Sequence, residues 1–141
     1  MSNKPQVIFM PHANIQYSQL DPKRRAWVCE HCCRPLFELV REGDYKIAFE
    51  ASGRTLEVME APAVLALLRE LVKAGKVEPV ASPFIHVMLA NVPPEIGLDT
   101  LKHGLDAWEK YTGIRPETGW NPECGWASYL PEIYKEAGYK N

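Results

Sequence analysis

Glu123 is the carboxylate whose neighbours most constrain it. It lies in the stretch Arg115-Pro116-Glu117-Thr118-Gly119-Trp120-Asn121-Pro122-Glu123-Cys124-Gly125-Trp126, where two prolines, two glycines and two tryptophans fall within a dozen residues. That mixture suits neither a regular strand nor a helix interior, so it reads as a shaped loop. Pro122 fixes its own φ and pushes Asn121 toward an extended conformation, which restrains the backbone around Glu123 before any tertiary contact forms. A carboxylate held in this way is placed for chemistry. Trp120 and Trp126 supply flat apolar faces on which a sugar ring or an aromatic ligand can stack. The same residues also suit a helix start, with Asn121 as N-cap, Pro122 at the first helical position and Glu123 favourable to the helix dipole. On residue chemistry alone both readings stand.

The other groups able to do chemistry are histidines and cysteines. Cys29-Glu30-His31-Cys32-Cys33 looks like a metal motif, but a tetrahedral zinc site needs four ligands and no second cysteine pair stands at a suitable spacing. On a helix, Cys29, Cys32 and Cys33 share a face as small hydrophobes, and core packing is the expectation. With Cys124 remote from them, the pattern is unlike a secreted disulfide framework, so free thiols are expected. His12, His86 and His103 are also potential ligands. His103 lies between Lys102 and Gly104 in a helical stretch and reads as solvated, whereas His12 and His86 fall at equivalent strand ends.

Those strand ends come from an alternation of apolar patterns along the chain. Val7 to Met10 is a continuous apolar run ending in Pro11-His12-Ala13-Asn14, as a buried parallel strand ends. Arg24 to Arg41 has helical spacing through Trp27, Cys29, Cys33, Leu36, Phe37 and Val40, with Pro35 expected to kink or interrupt it. Tyr45 to Ala51 is the second strand, bounded by Ser52-Gly53. Pro62 opens a helix with Val64, Leu65, Leu67, Leu68, Leu71 and Val72 on one face, closed by Gly75. Val77 to Ala81 is the third strand, and a proline-broken passage from Ser82 to Pro94 follows. A helix using Leu98, Leu101, Leu105, Trp108 and Thr112 stops at Gly113. A brief fourth strand is expected near Thr118 to Trp120, then a helix from Ala127 to Ala137 with Gly138 as its stop.

Four alternations of strand and helix predict an α/β fold with a parallel sheet and right-handed crossovers. Ligand sites in such folds lie beyond the C-terminal ends of the strands. The polar residues at those ends are His12 and Asn14; Glu50, Ser52 and Glu57; Glu78, Ser82 and His86; and Trp120 and Glu123.

Composition limits the class of molecule. The 141 residues are 46% hydrophobic and 24% charged, ordinary values for one globular domain spanning residues 1–141. Sixteen basic residues against 18 acidic ones, scattered and with net charge −2, give no footprint for nucleic acid or an anionic membrane. Val7 to Met10 is too short for a signal peptide or a membrane span, and the cytoplasm is the default location.

Four segments together carry a resemblance: His12-Ala13-Asn14-Ile15-Gln16-Tyr17; Ser52-Gly53-Arg54-Thr55-Leu56-Glu57; Gly75-Lys76-Val77-Glu78 with Ser82-Pro83-Phe84-Ile85-His86; and Thr112-Gly113-Ile114-Arg115-Pro116 with Gly119-Trp120-Asn121-Pro122-Glu123. In this order they resemble the N-terminal half of the catalytic domain of glycoside hydrolase family 57, over nearly the whole chain from Val7. The resemblance implies a retaining enzyme acting on α-glucans, of amylase, branching-enzyme or 4-α-glucanotransferase type. Its fold would be about four βα units of an incomplete seven-stranded (β/α) barrel.

By the same resemblance Glu123 matches the family's nucleophile, His12 its first-strand histidine and Glu78 the glutamate of its Gly-x-x-Glu segment. Asn14 stands where many members carry Gln near that histidine, which implies a divergent subgroup. The family's acid/base is an aspartate on a later strand, which this chain does not reach by Asn141. A retaining glycosidase needs its two carboxyl groups about 5–5.5 Å apart. Glu123 would form the glycosyl-enzyme, while His12, Asn14, Glu78 and His86 bind sugar hydroxyls and Trp120 or Trp126 stacks on a pyranose. No metal or other cofactor is needed for that chemistry.

Two alternatives remain at this stage. One is a metal-dependent deacetylase or mannosidase using His12, His86 and a carboxylate, although the first strand lacks paired aspartates. The other is a non-catalytic sugar-binding domain. A (β/α) barrel typically needs about 250 residues, so the expected partners are an α-glucan and either the remainder of the barrel C-terminal to Asn141 or a second copy of the chain. In isolation residues 1–141 are expected to be marginally folded or self-associated, with an open last strand, and inactive on starch-type substrates.

Overall fold

The computed structural model describes residues 7–141. Four parallel strands, β1 (His12–Ala13), β2 (Ile47–Ala51), β3 (Val77–Ala81) and β4 (Thr118–Gly119), lie side by side in chain order. Sequential parallel strands require every crossover to pass on the same side of the sheet, so the helices layer onto one face. The other face carries the register row His12, Glu50, Val80 and Thr118. This is the parallel α/β sheet expected from the strand and helix alternation, with the strands in the order that the partial barrel implied by the resemblance requires.

The first strand is displaced from the expected run. Val7 and Ile8 are 91% and 81% exposed, and the ladder begins only at His12. The backbone does accompany β2 earlier, since Ala48 N–H donates to the Phe9 carbonyl and Glu50 N–H to that of Pro11, both at 3.1 Å. In a parallel ladder the residue at position 11 would answer by donating to the Ala48 carbonyl. Pro11 has no N–H to give, so that rung stays half made and the apolar run stays at the sheet edge.

The expected helix from Arg24 is subdivided. A 3₁₀ turn (Pro22–Arg24) capped by the Asp21 side chain leads into α1 (Arg25–Val28), then a π-helical turn (Cys29–Cys33), then α2 (Arg34–Glu42). The Arg34 N–H donates to the Cys29 carbonyl five residues back, and this widened turn accepts the Pro35 ring without a break. Cys29 and Cys33 are buried as expected. Cys32 is exposed, because five residues in the wide turn do not place all three thiols on one face.

A further helix, α3 (Gly53–Glu57), stands where Ser52-Gly53 read only as a boundary. Ser52 is its N-cap, accepting from Thr55 N–H at 3.2 Å. After it come α4 (Pro62–Lys73), α5 (Pro94–Thr112) and α6 (Leu130–Ala137). Gly113 and Gly138 end α5 and α6 in the left-handed conformation, at φ 81° and 110°. Helix α6 begins three residues later than expected, since Ala127 to Tyr129 form a turn.

One buried cluster lies between sheet and helices. Phe49 of β2 meets Phe37 of α2 edge-on, with centroids 5.0 Å apart, and the fully buried Trp108 of α5 donates Nε1–H to the Ala51 carbonyl at 2.9 Å. Gly104 brings α5 directly onto the chain leaving β3: a Cβ there would stand 2.2 Å from the Ser82 carbonyl oxygen. The outer edge of β4 is not bare, contrary to the expected open strand. Asn141 N–H donates to the Glu117 carbonyl, and the Asn141 carbonyl accepts from Gly119 N–H at 2.9 Å, a parallel rung. Among the described residues no helix is long and apolar enough to cross a membrane.

Candidate functional site

The C-terminal ends of the strands gather four side chains from distant parts of the sequence. His12 leaves β1, His86 lies in the loop after β3, and Trp120 and Glu123 follow β4. The His12 ring centroid is 5.4 Å from that of His86 and 5.2 Å from that of Trp120, and His86 and Trp120 are 5.8 Å apart. His86 Nε2 lies 3.0 Å from Glu123 Oε1. The equivalence of His12 and His86 as strand-end residues is therefore spatial as well as sequential.

Two imidazole–carboxylate pairs result. His12 Nδ1 is hydrogen-bonded to Glu50 Oε2, and Glu50 is 1% exposed. The hydrogen bond to Glu50 holds the His12 pKa above its ordinary value; burial of the ring opposes this, and the charges of Glu50 and Glu123 add to it. Glu123 is the exposed partner of its pair, with 59% of its side chain accessible, while His86 is 16% exposed. One pair faces the protein interior and the other faces solvent.

The loop that carries Glu123 is strained. Glu123 has φ 59° and ψ 11°, and Cys124 has φ 52°, two consecutive non-glycine residues in the left-handed region. Each costs on the order of 1–2 kcal/mol and persists only where its surroundings over-determine it. They do so here. Pro122 and the extended Asn121 (φ −93°, ψ 109°) set the approach, the Asn121 amide donates to the Gly125 carbonyl, and Trp120 is held at both ends by Ala81 and Tyr134. The helix-start reading of Asn121-Pro122-Glu123 is not realised, since Asn121 makes no cap bond and only a 3₁₀ turn (Pro122–Cys124) forms. The left-handed turn instead directs the carboxylate to His86.

A cleft of about 360 Å³ opens beside this carboxylate, lined by Asn14, Gln16, Tyr17, Ser18, His86 and Glu123. Gln16 is held by its amide donating to Ser52 Oγ at 3.1 Å, which ties the β1 loop to the start of α3. Asn14, expected to bind substrate, is thus in the cleft wall.

Two expected site residues are elsewhere. Glu78 is the second residue of β3, in register with Ala48, so it stands below the strand end rather than at it. It shares the Glu50 face because residues two apart on a strand point the same way. Trp126 is 72% exposed and lines a different hollow of about 660 Å³ with Leu130, Tyr134 and Tyr139. Glu57, another strand-end candidate, pairs with Arg54 on the exposed side of α3. His103, 60% exposed, is solvated as expected.

Glu50 is the buried carboxylate of this cluster, a strand-end residue that the sequence reading named without giving it a part. Its signal was present: an acid within Ile47-Ala48-Phe49-Glu50-Ala51, a run otherwise fit for a fully buried strand. Among the described residues no group of three or more His, Cys, Asp or Glu is placed to hold a metal ion.

Comparison with known proteins bears on the family and the fold. The profile of glycosyl hydrolase family 57 matches residues 7–141. The α-amylase of Pyrococcus furiosus is 32% identical over 112 residues, covering 77% of this chain and 17% of its own length. The crystal structure of 4-α-glucanotransferase from Thermococcus litoralis superposes with a TM-score of 0.78 at 29% identity, over 94% of this chain and 21% of that one. The α-amylase AmyC of Thermotoga maritima, at 14% identity, shares the fold with a TM-score of 0.76 over 94% of this chain and 38% of that one. The chain spans about a fifth of the length of the curated relatives it matches.

Proposed function

The chain belongs to glycosyl hydrolase family 57, and from that premise we propose that it supplies the nucleophile half of a retaining active site working on α-glucans, with Glu123 as the nucleophile. The observation that carries this reading is the left-handed, over-determined loop that presents the Glu123 carboxylate to His86 at the mouth of the cleft. Strain of this kind at a strand end is what a positioned reacting group requires.

In this mechanism His86 Nε2–H donates to Glu123 Oε1, orienting the carboxylate and leaving Oε2, which has no partner among the described residues, to attack the anomeric carbon. The glycosyl-enzyme so formed is released by water or by an acceptor sugar hydroxyl. His12 and Asn14 bind hydroxyls of the sugar at that position and Trp120 stacks on its ring. Trp126, away from this cluster, acts on sugar units farther along the glucan, while Glu78, below the strand ends, takes no part in the subsite at Glu123. The acid/base is an aspartate outside residues 7–141, and the remainder of the catalytic domain covers the inner sheet face around Ala48 and Glu78. Four free thiols suit a reducing compartment, and we place the protein in the cytoplasm.

Incubation of the whole protein with an activated α-glucosyl fluoride, followed by peptide mass spectrometry, tests this. A glucosyl adduct on Glu123, absent from Glu123→Gln, is expected. An adduct elsewhere, or normal turnover by a folded Glu123→Gln, overturns the assignment.

A further inference from the structure

Glu50 is a buried carboxylate with one partner. Its Oε2 meets His12 Nδ1, and its Oε1 is buried with no hydrogen-bond partner among the described residues. Among the described residues no lysine or arginine pairs with it. An ionised carboxylate taken out of water without compensation is costly, so the proton shared with His12 decides whether this arrangement holds. The hydrogen bond to Glu50 is the largest cause of the raised His12 pKa, outweighing burial of the ring. The shared proton therefore belongs on His12 Nδ1, with Glu50 as acceptor.

We propose that Glu50 is a positioning residue that, by accepting the Nδ1 proton of His12, fixes the tautomer, orientation and charge of that ring so that Nε2–H is a hydrogen-bond donor beside Glu123. The inference deepens the glucan-active reading above and rests on it for the ligand, a sugar hydroxyl, but not for the pair itself. Three further observations fit. The ring packs against both His86 and Trp120, which touch each other as well, and this three-ring cluster limits its orientations. Nε2 has no partner among the described residues. Glu123 also lies within electrostatic reach of His12, and its charge adds to the rise in the His12 pKa.

The charged and titratable groups around His12 are few. Glu50 of β2 bonds it, and His86 and Glu123 face it from the loops after β3 and β4. Cys32 and Cys33 line the hollow on its other side; burial pushes the Cys33 thiol up to about 12, so it is uncharged at neutral pH. The two carboxylates favour protonation of His12. Of these groups only His86, if protonated, opposes it.

The experiment is ¹⁵N NMR of the histidine rings in the whole protein. In the parent, His12 should show a protonated Nδ1 throughout and a titration midpoint above 6.5, the ordinary value. In Glu50→Gln, which keeps the shape and removes the charge, the His12 midpoint should fall below that of the parent, and Glu50→Asp should recover part of the difference. A neutral form of parent His12 with the proton on Nε2 and a bare Nδ1 overturns the proposal, and this needs no variant to fold. An unchanged His12 midpoint in folded Glu50→Gln also overturns it. Maltotriose added to the parent should shift His12 Nε2. If Nδ1 is protonated and the midpoint depends on Glu50 but maltotriose has no effect, the pair stands and the glucan reading is what fails.

Discussion

His86 Nε2 and Glu123 Oε1, 37 residues apart in the chain, meet at 3.0 Å and lock the loop after β3 to the loop after β4. A hydrogen bond to a charged group contributes about 1.5–3 kcal/mol. In the whole enzyme His86→Ala should therefore lower kcat/KM on a soluble glucan by roughly 10- to 150-fold, most of it in kcat if the bond orients the attacking oxygen. Circular dichroism of the variant should remain that of the parent. A change confined to KM would assign His86 to substrate binding alone.

Relief of the strained loop should separate stability from activity. Glycine adopts φ near 59° without steric cost, but Glu123→Gly also removes the His86 contact, so the two effects should largely offset and leave Tm within a few degrees of the parent while turnover is abolished. Differential scanning calorimetry beside a reducing-sugar assay checks both. A clear fall in Tm would mean that the His86 contact outweighs the backbone strain.

The His12–Glu50 pair makes stability depend on pH in a stated direction. His12 has its pKa raised in the folded state, so the native chain binds more protons than the unfolded one above about pH 6.5. The contribution is complete below 6.5 and is lost as pH rises through the folded value. Urea denaturation between pH 5.5 and 8.5 should show a declining midpoint for the parent, and Glu50→Gln should flatten that decline.

The thiols should divide by burial. Desolvation pushes Cys29 up to about 11 and Cys33 up to about 12, whereas Cys32 and Cys124 are exposed. At pH 8 in native buffer, iodoacetamide should modify Cys32 and Cys124 within minutes and leave Cys29 and Cys33 unmodified until denaturant is added. The raised values also predict stability loss from about pH 9 upward, as unfolding allows those thiols to ionise.

Much of this architecture was legible because local signals and tertiary packing agree. Gly113 and Gly138 end helices where expected, Pro62 lies at a first helical position, and β3 spans Val77–Ala81 as its apolar run indicates. His12, His86, Trp120 and Glu123 were recognisable as strand-end residues, and the sheet brings those ends together. What was not legible depends on hydrogen bonds between distant segments. The half-made rung at Pro11 requires knowing that Ala48 lies opposite, and α3 was hidden because Ser52 and Gly53 serve as a cap and a close contact while looking like a turn. Glu78 sits two residues below the row that meets the site, a difference that periodicity along one strand does not show. Glu50 acquired its importance only from its partner on β1.

The wide turn at Cys29–Cys33 gives the first helical segment an unusual tolerance of length. A π turn contains one residue more than the α turn it replaces. Removing a residue from most helices rotates everything beyond it by about 100° and exposes the buried stripe. Deleting Cys32 instead would convert the turn to an ordinary one. Cys29, Cys33, Phe37 and Val40 would then follow one another at intervals of three, four and three, still along one side. Sequences differing here by a single missing residue can share the fold, with Pro35 left to bend the helix that the wider turn now accommodates.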